Sequence, residues 1–448
     1  MKEAHQAVPV IEADWPRQAA RAEPDGDLYL ATCGTYGISS AGEWWSRVAA
    51  ALVKYGHYLL GPHFFIHLLI FADDFDLKVQ GSEFAIALLG FVFYLCVFKV
   101  PQSWKKYRGG SDYSWIGFQA DLKGARIGLS IARAKWVTEW CRKMASESVA
   151  DTEVFAAGLG RLTFAVAVLE YERPFLAPLH AFAAVWRGVL AAPIPPAVTM
   201  ALLWVAKRVE ARHMMQCARR RVQMEEPFRV DAKAEGDLVV VGGWEPKRGI
   251  QGKLDPWASR WFSVHLTPAN APWAFRKGLP FKSIMALELF ASLLSVMLFG
   301  DEALATSGSA STAATLILGG LTDNEGVTSM LSKGASSRFP LCLVAMELAA
   351  QLDMRGATLE ASWVPREMNQ EADDLTNDLV GAFNPELRIE VDLDQMDFKV
   401  LSLFEKAAAD FFLEARGALA RQAAEAPARP TLPKGRRRER TGALLGAW

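Results

Sequence analysis

Apolar and polar positions divide this chain into stretches of different period. Up to about residue 120, short β-rich runs alternate with apolar helical ones. They end in the turn-forming Gly109-Gly110-Ser111-Asp112, which Tyr113-Ser114-Trp115-Ile116-Gly117-Phe118 follows. From Ala125 to Gln223 apolar residues recur every three or four positions, as in Ile127, Leu129, Ile131, Trp136 and Val137, which is a helical period with few strands. After Glu225-Glu226-Pro227 the pattern changes again. Short β runs at Phe228 to Val230, Leu238 to Trp244 and Trp261 to Leu266 precede a helix from Ile284 to Phe299. A β run at Thr315 to Leu321, a helix near Pro340 to Leu352, a β run at Thr358 to Val364 and a helix beginning near Asn369 complete the series. Three strands, a helix, then strand and helix in alternation predict an α/β unit with a mixed sheet. A last helix is predicted from about Asp397 to Ala424, and the Pro, Gly and Arg content of Pro427 to Trp448 predicts a disordered basic tail. The expectation is a multidomain chain, α/β and α+β, with units at 1–120, 121–226 and 227–385, a helical extension at 386–426 and the tail at 427–448. No internal repeat is visible.

Composition supports folding: 51% of the 448 residues are hydrophobic and 22% charged, too apolar for a mainly disordered chain. With 49 Lys plus Arg against 50 Asp plus Glu, a uniformly basic nucleic-acid coat is excluded, although local patches are not. The five cysteines, Cys33, Cys96, Cys141, Cys217 and Cys342, are scattered without a CxxC or Cys/His cluster. That predicts a reducing compartment, cytoplasmic or nuclear. The polar first twenty residues carry no apolar signal-peptide core. Three apolar runs raise the membrane question. Tyr58 to Phe71 and Phe84 to Phe98 fall short of the roughly 20 residues a span needs. Ala181 to Ala206 is broken by Arg187, Pro193, Pro195 and Pro196. All three are expected to be buried core, and no membrane partner is expected.

Four acids in the third unit carry candidate chemistry. Asp231 lies on the first predicted strand. Glu288 interrupts the apolar helix Met285-Ala286-Leu287-Glu288-Leu289-Phe290-Ala291, where an unpaired acid is costly and calls for a partner or a cation. Asp323 ends a buried-looking strand, and Asp373 sits near the start of a helix. Singly, each suits a solvated or structural role. Jointly, four acids at the edges of different elements suit two divalent cations, and oxygen ligands favour Mg²⁺, or Mn²⁺. Two such metals activate water and stabilise a leaving oxygen in phosphodiester cleavage. Val230-Asp231, Ala286-Leu287-Glu288-Leu289, Thr322-Asp323-Asn324, and Trp363-Val364-Pro365-Arg366-Glu367 with Asn369 and Ala372-Asp373 resemble, in order, the motifs of a ribonuclease H domain. The last motif is similar to the retroelement form. Where some ribonucleases H carry a His before the last helix, this loop reads Arg366-Glu367-Met368. No basic protrusion helix is evident.

Phe71-Ala72-Asp73-Asp74-Phe75 places adjacent acids between apolar runs, which read alone is a surface hairpin turn. The segment resembles the Asp-Asp box on the palm hairpin of reverse transcriptases. Gly34-Thr35-Tyr36-Gly37-Ile38-Ser39-Ser40-Ala41 is similar to that family's template-positioning motif, with its usual Pro replaced. Trp104-Lys105-Lys106 and Trp115-Ile116-Gly117-Phe118 resemble its Lys-bearing segment and primer-grip strand. Met1 to Val10 resembles the motif that opens with the first catalytic Asp, which in this alignment would precede Met1. His5 falls where the family carries an aromatic that checks the sugar 2′ position. The resemblance therefore implies metal ligation at Asp73 and Asp74 and substrate contacts at His5, Gly37, Ser39, Ser40, Lys105, Lys106, Trp115 and Gly117. DNA synthesis is expected to be impaired.

Basic residues crowd the middle: Lys99, Lys105, Lys106, Arg108, Lys123, Arg126, Arg133, Lys135, Arg142 and Lys143, then Lys207, Arg208, Arg212 and Arg219 to Arg221. They suit phosphate contacts along a duplex, or simply a solvated helix face. The run Arg436-Arg437-Arg438-Glu439-Arg440 suits a nuclear address or a further phosphate contact. The resemblance implies a partial palm, a helical thumb and connection, and a ribonuclease H-like domain in a retroelement polyprotein fragment, of the retroviral-like or tyrosine-recombinase-bearing class. It implies two Mg²⁺ per active site and RNA–DNA hybrid, template-primer and deoxynucleotides as partners. Two rival expectations are a domesticated nucleic-acid binder without catalysis and a multi-pass membrane protein.

Overall fold

A computed structural model describes residues 9–21, 26–33, 39–217, 220–223, 226–250, 252–276, 278–306 and 314–425. His5, Gly37 and the tail from residue 427 lie outside the described residues. The chain forms two units, Met1–Arg126 and Ile127–Trp448. The stretches expected at 121–226, 227–385 and 386–426 therefore fall almost wholly within the second.

In the first unit a helix, Ser39–Leu60, packs on an antiparallel hairpin of Phe65–Phe71 with Asp74–Gln80, beside a helix at Phe84–Val97. The core is Leu52, Leu60, Leu68, Phe91, Tyr94 and Leu95. Gly56 lets helix and strand approach, because a Cβ there would meet the Leu68 side chain at 2.8 Å. Two of the apolar runs expected to be core are core on one side only. Phe84–Val97 buries Ala87, Phe91, Tyr94 and Leu95, whereas Phe84, Ile86, Leu88, Leu89, Phe93 and Val97 are exposed. Tyr58, Leu59, Phe65 and Phe71 are likewise exposed. A sequence apolar on every side reports no direction, so the neighbours decide which side is covered.

The second unit begins with helices at Ile131–Ser146, Thr152–Ala165, Ala177–Val185 and Pro196–Ala211, linked by short strands such as the pair Val149–Asp151 and Ala191–Pro193. Asp151 caps the second of them, its carboxylate accepting from the backbone of Glu153 and Val154. The run from Ala181 to Ala206 is thus two helices joined by a short strand and lined with core residues such as Phe182, Val198 and Leu202.

The larger sheet follows. Its strands are β1 (Phe228–Glu235), β2 (Leu238–Glu245), β3 (Arg260–Leu266), β4 (Ala314–Thr322) and β5 (Ala357–Trp363). Its helices are α1 (Ile284–Thr306), α2 (Glu325–Lys333), α3 (Leu341–Arg355), α4 (Gln370–Thr376) and α5 (Leu401–Glu425). The strand order is β3-β2-β1-β4-β5, antiparallel between the first three and parallel from β1 through β5. A further strand, Arg220–Gln223, pairs with the opening half of β4. Each strand and helix expected from residue 228 onward is present, with ends moved by a few residues.

Two glycines let the sheet carry helices closely on both faces. A Cβ on Gly242 would meet Leu375 of α4 at 2.9 Å, and one on its neighbour Gly243 would meet Ser295 of α1 at 3.0 Å. Successive strand residues face opposite sides, so α4 and α1 lie on opposite faces of β2. The stretch Pro280–Asp301, which contains most of α1, is long and apolar enough to cross a membrane, but 83% of its most apolar window is buried inside the protein. Helix α4 is seated against Trp244, Trp261 and Phe383 through Ala372 and Leu375.

Helix α5 is joined to the sheet unit by a buried acid. Glu347 of α3 accepts hydrogen bonds from the Gln351 side chain at 2.7 Å and from the backbone N–H groups of Lys399, Val400 and Leu401 at 3.0, 2.6 and 2.9 Å. Those N–H groups are the free donors at the start of α5, where a carboxylate is most stabilising. Phe404 of α5 also packs against Phe175 and Trp204, which stack on each other at 4.8 Å.

Candidate metal centre

Three of the four expected acids meet. Asp231 sits in β1, Glu288 near the start of α1, and Asp323 just past the end of β4. One carboxylate oxygen from each lies within 4.8 Å of the other two. Asp231 and Glu288 are only 6% and 4% exposed, while Asp323 is half-buried. The fourth, Asp373 on α4, stands beside them and pairs with Arg366. Among the described residues this is the one group of three or more His, Cys, Asp or Glu side chains close enough to hold a metal ion.

The acids are held by neighbours from distant parts of the chain. The Thr376 hydroxyl donates to Asp231 at 2.6 Å, and the Thr322 hydroxyl donates to Glu288 at 3.1 Å. Trp363 donates its indole N–H to the Asp323 carbonyl oxygen at 2.9 Å. Asn369 donates to the Val230 carbonyl at 2.9 Å, tying the start of α4 to β1, and Asn377 donates to the Asp373 carboxylate at 3.0 Å. Asn369 and Trp363 stand in the ribonuclease H-like motif of the sequence, but sequence reasoning misses the threonines. Their signal is there: Thr322 adjoins Asp323, and Thr376 lies three residues after Asp373, on the same helix face.

Electrostatics set what the cluster demands. Burial pushes the Asp231 carboxyl up; the Thr376 hydrogen bond opposes this, and the charges of Asp323 and Asp373 add to it. Glu288 is raised well above the usual carboxylate range, by burial first and then by Asp231 and Asp323. Asp323 is raised by burial and eased by the Arg366 guanidinium. Crowded carboxylates in a partly dry site hold protons or need a cation. An all-oxygen donor set of this kind could hold a metal ion, with Asp231, Glu288 and Asp323 as the groups that would bind it and Asp373 beside them.

The acids of the first unit have a different setting. Asp73 lies in the two-residue turn of the hairpin, after Ala72 at φ 51°, and Asp74 opens the second strand, exposed. The indole N–H of Trp45 donates to the Ala72 carbonyl at 2.8 Å and steadies the turn. Among the described residues no third acid joins the pair. The buried acid of this hairpin is Asp76, which pairs with Lys78 and accepts from the Tyr113 hydroxyl at 2.9 Å. Lys105 and Lys106 are exposed in a short turn at Trp104–Lys106. Trp115 ends the strand Asp112–Trp115, and Gly117, at φ 86°, completes the turn into Phe118–Asp121. Ser39 and Ser40 open the helix Ser39–Leu60.

Part of the basic middle is neutralised locally. Arg126 pairs with Asp121, Lys135 with Glu139, Arg142 with Glu210 and Lys143 with Glu147. Arg208 and Arg212 both turn to the buried Asp353 of α3. Both arginines keep part of their side chains exposed beside that pairing. No family model matches the chain, and no curated protein matches it.

Proposed function

We propose that the second unit is a divalent-metal-dependent phosphodiester hydrolase of the ribonuclease H type, cutting the RNA strand of an RNA–DNA hybrid. The observation that carries this reading is the meeting of Asp231, Glu288 and Asp323, from three separate elements, within 4.8 Å of one another, with Asp373 beside them. The strand order β3-β2-β1-β4-β5, with helices on both faces, agrees with the mixed sheet and flanking helices that the ribonuclease H resemblance implies. It sets Asp323 past the carboxyl end of a parallel strand, where α/β sheets place their ligands.

Bound divalent cations supply a water ionised near neutral pH and neutralise charge on the leaving oxygen. The chain's residues prepare for this. Asp231 and Glu288, fixed by Thr376 and Thr322, present carboxylates with little freedom to reorient, and Trp363 holds the backbone of Asp323. Arg366, paired with Asp373, and Trp363, bonded to the Asp323 carbonyl, are both more than half exposed beside the centre. The resemblance of the first unit to a reverse-transcriptase palm rests on its hairpin, which bears Asp73 and Asp74.

The test is cleavage of a labelled RNA–DNA hybrid by the full chain with and without Mg²⁺, beside Asp231→Asn and Asp323→Asn. Mg²⁺-dependent cutting of the RNA strand alone, lost in both variants, is the expected result. Binding without cutting by the unmodified chain would overturn the hydrolase in favour of a nucleic-acid-binding relic.

A further inference from the structure

Among the described residues, Arg366 is the cation that the acid cluster already holds in hand. It lies on the short turn Arg366–Met368, between the end of β5 and the start of α4, and this turn is pinned at its C-terminal end. Arg229 donates to the Met368 carbonyl, and Asn369 holds the Val230 carbonyl of β1. From that base the guanidinium reaches Asp373, whose side chain is only 15% exposed, while 70% of the arginine side chain remains open to solvent. Its charge also acts on Asp231 and Asp323. Four carboxylates are therefore offset in part by an exposed guanidinium bound at Asp373.

We infer that Arg366 is a positioning residue that occupies, in the metal-free protein, the place at Asp373 needed by the second cation, and gives it up to a substrate phosphate. The inference rests on the metal-dependent hydrolase reading of this same site. Physical chemistry supplies both halves. A guanidinium and a divalent ion compete for one carboxylate, so each weakens the other's binding. A guanidinium that is mostly exposed also has donors free for the forked contact that arginine makes with phosphate. The first cation then belongs to Asp231, Glu288 and Asp323 and binds without substrate. The second joins only when nucleic acid has drawn Arg366 off Asp373. Cations and substrate thereby load together.

The experiment is Mn²⁺ titration of the full chain, followed by calorimetry and by the electron-spin signal of free Mn²⁺. The proteins are the unmodified chain, Arg366→Ala, Arg366→Lys and Asp373→Asn. Because Arg366 is exposed, its removal leaves the core untouched, and unchanged far-ultraviolet circular dichroism checks this. Without nucleic acid, the unmodified chain should bind one Mn²⁺ tightly. Arg366→Ala should gain a second site, tightened on the order of tenfold, Arg366→Lys should fall between, and Asp373→Asn should lack the second site. Adding a hybrid made uncleavable by 2′-O-methyl RNA should bring the second Mn²⁺ to the unmodified chain and add nothing in Arg366→Ala. Identical isotherms for the unmodified chain and Arg366→Ala would overturn the inference, even if the hybrid is cut normally. A gain in Arg366→Ala, in a chain that neither binds nor cuts hybrid, would keep the counter-ion role and sink both the phosphate hand-over and the ribonuclease reading. No Mn²⁺ bound by any of the four would overturn both.

Discussion

Two pairs of acids in this molecule are both candidate metal ligands in sequence and differ in their setting in space. Asp73 and Asp74 are adjacent in a hairpin turn, one half-buried and one exposed, and among the described residues nothing acidic joins them as a third ligand. Asp231 and Glu288 are far apart in the chain and are brought together, with Asp323, in a mostly buried cluster. The turn acids can shed their mutual repulsion into water. The buried acids cannot, and their carboxyl groups are raised for that reason. Convergence from separate elements, under desolvation, is what makes a group of carboxylates a candidate centre.

A second contrast lies within the larger unit, between two buried glutamates. Glu347 is surrounded by donors: one side-chain amide and three backbone N–H groups. Glu288 accepts from Thr322 and from the Ala232 backbone but faces two other acids. The first has its charge answered by the protein and holds α5 in place. The second faces like charge, which on the proposed reading a bound cation would answer.

The largest effect that would sharpen these comparisons is on chemistry. Asp231→Asn or Asp323→Asn should reduce Mg²⁺-dependent hybrid cleavage by about 10²- to 10³-fold, the loss typical of removing one electrostatic stabiliser from a reaction centre. Asp73→Asn and Asp74→Asn should leave that rate unchanged, and equal loss from both pairs would break the comparison.

Next comes the structural glutamate. Glu347→Ala leaves several donors at the start of α5 without a partner and should cost about 3 kcal/mol, at one to three for each orphaned group. Urea denaturation reads this directly, and Mg²⁺ should not restore it. A smaller loss, about 2 kcal/mol, is expected from Gly242→Ala, whose new methyl group is forced against Leu375 and Thr376. Because that contact seats α4, cleavage should fall together with stability. A variant of normal activity would show that Asp373 tolerates movement of its helix.

The smallest effect concerns pH. Asp231 and Glu288 have carboxyl groups raised in the folded protein, so their contribution favours folding while they are protonated and is lost as pH rises through the folded values. In metal-free buffer the melting temperature should therefore decline from this source as pH rises above the ordinary carboxylate range. Saturating Mg²⁺ should restore it at the upper end only, where the acids are ionised. Glu288→Gln should flatten the metal-free profile. The same ionisation predicts that cleavage rises with pH across the range where Glu288 loses its proton. Insensitivity of the melting curve to Mg²⁺ at the higher pH would count against a metal at these acids.

Local patterning sufficed for the elements and for the order of the acids. The β runs at 228–230, 238–244, 261–266, 315–321 and 358–364 each became a strand, because alternating or continuous apolar residues bounded by turn residues carry that information within a few positions. Glu288 announced itself as an acid in an apolar helix, where its cost needed an explanation. Tertiary structure decided what such periods do not encode: which side of the fully apolar helix Phe84–Val97 is covered, and that Arg208 and Arg212 turn inward to Asp353. It also decided that Arg366 sits on Asp373, and that Thr376 reaches Asp231 from 145 residues away. A side chain's periodicity records only whether it faces the core. Whether it meets a particular carboxylate depends on strand order and on helix packing across the sheet, where Gly242 and Gly243 set the approach.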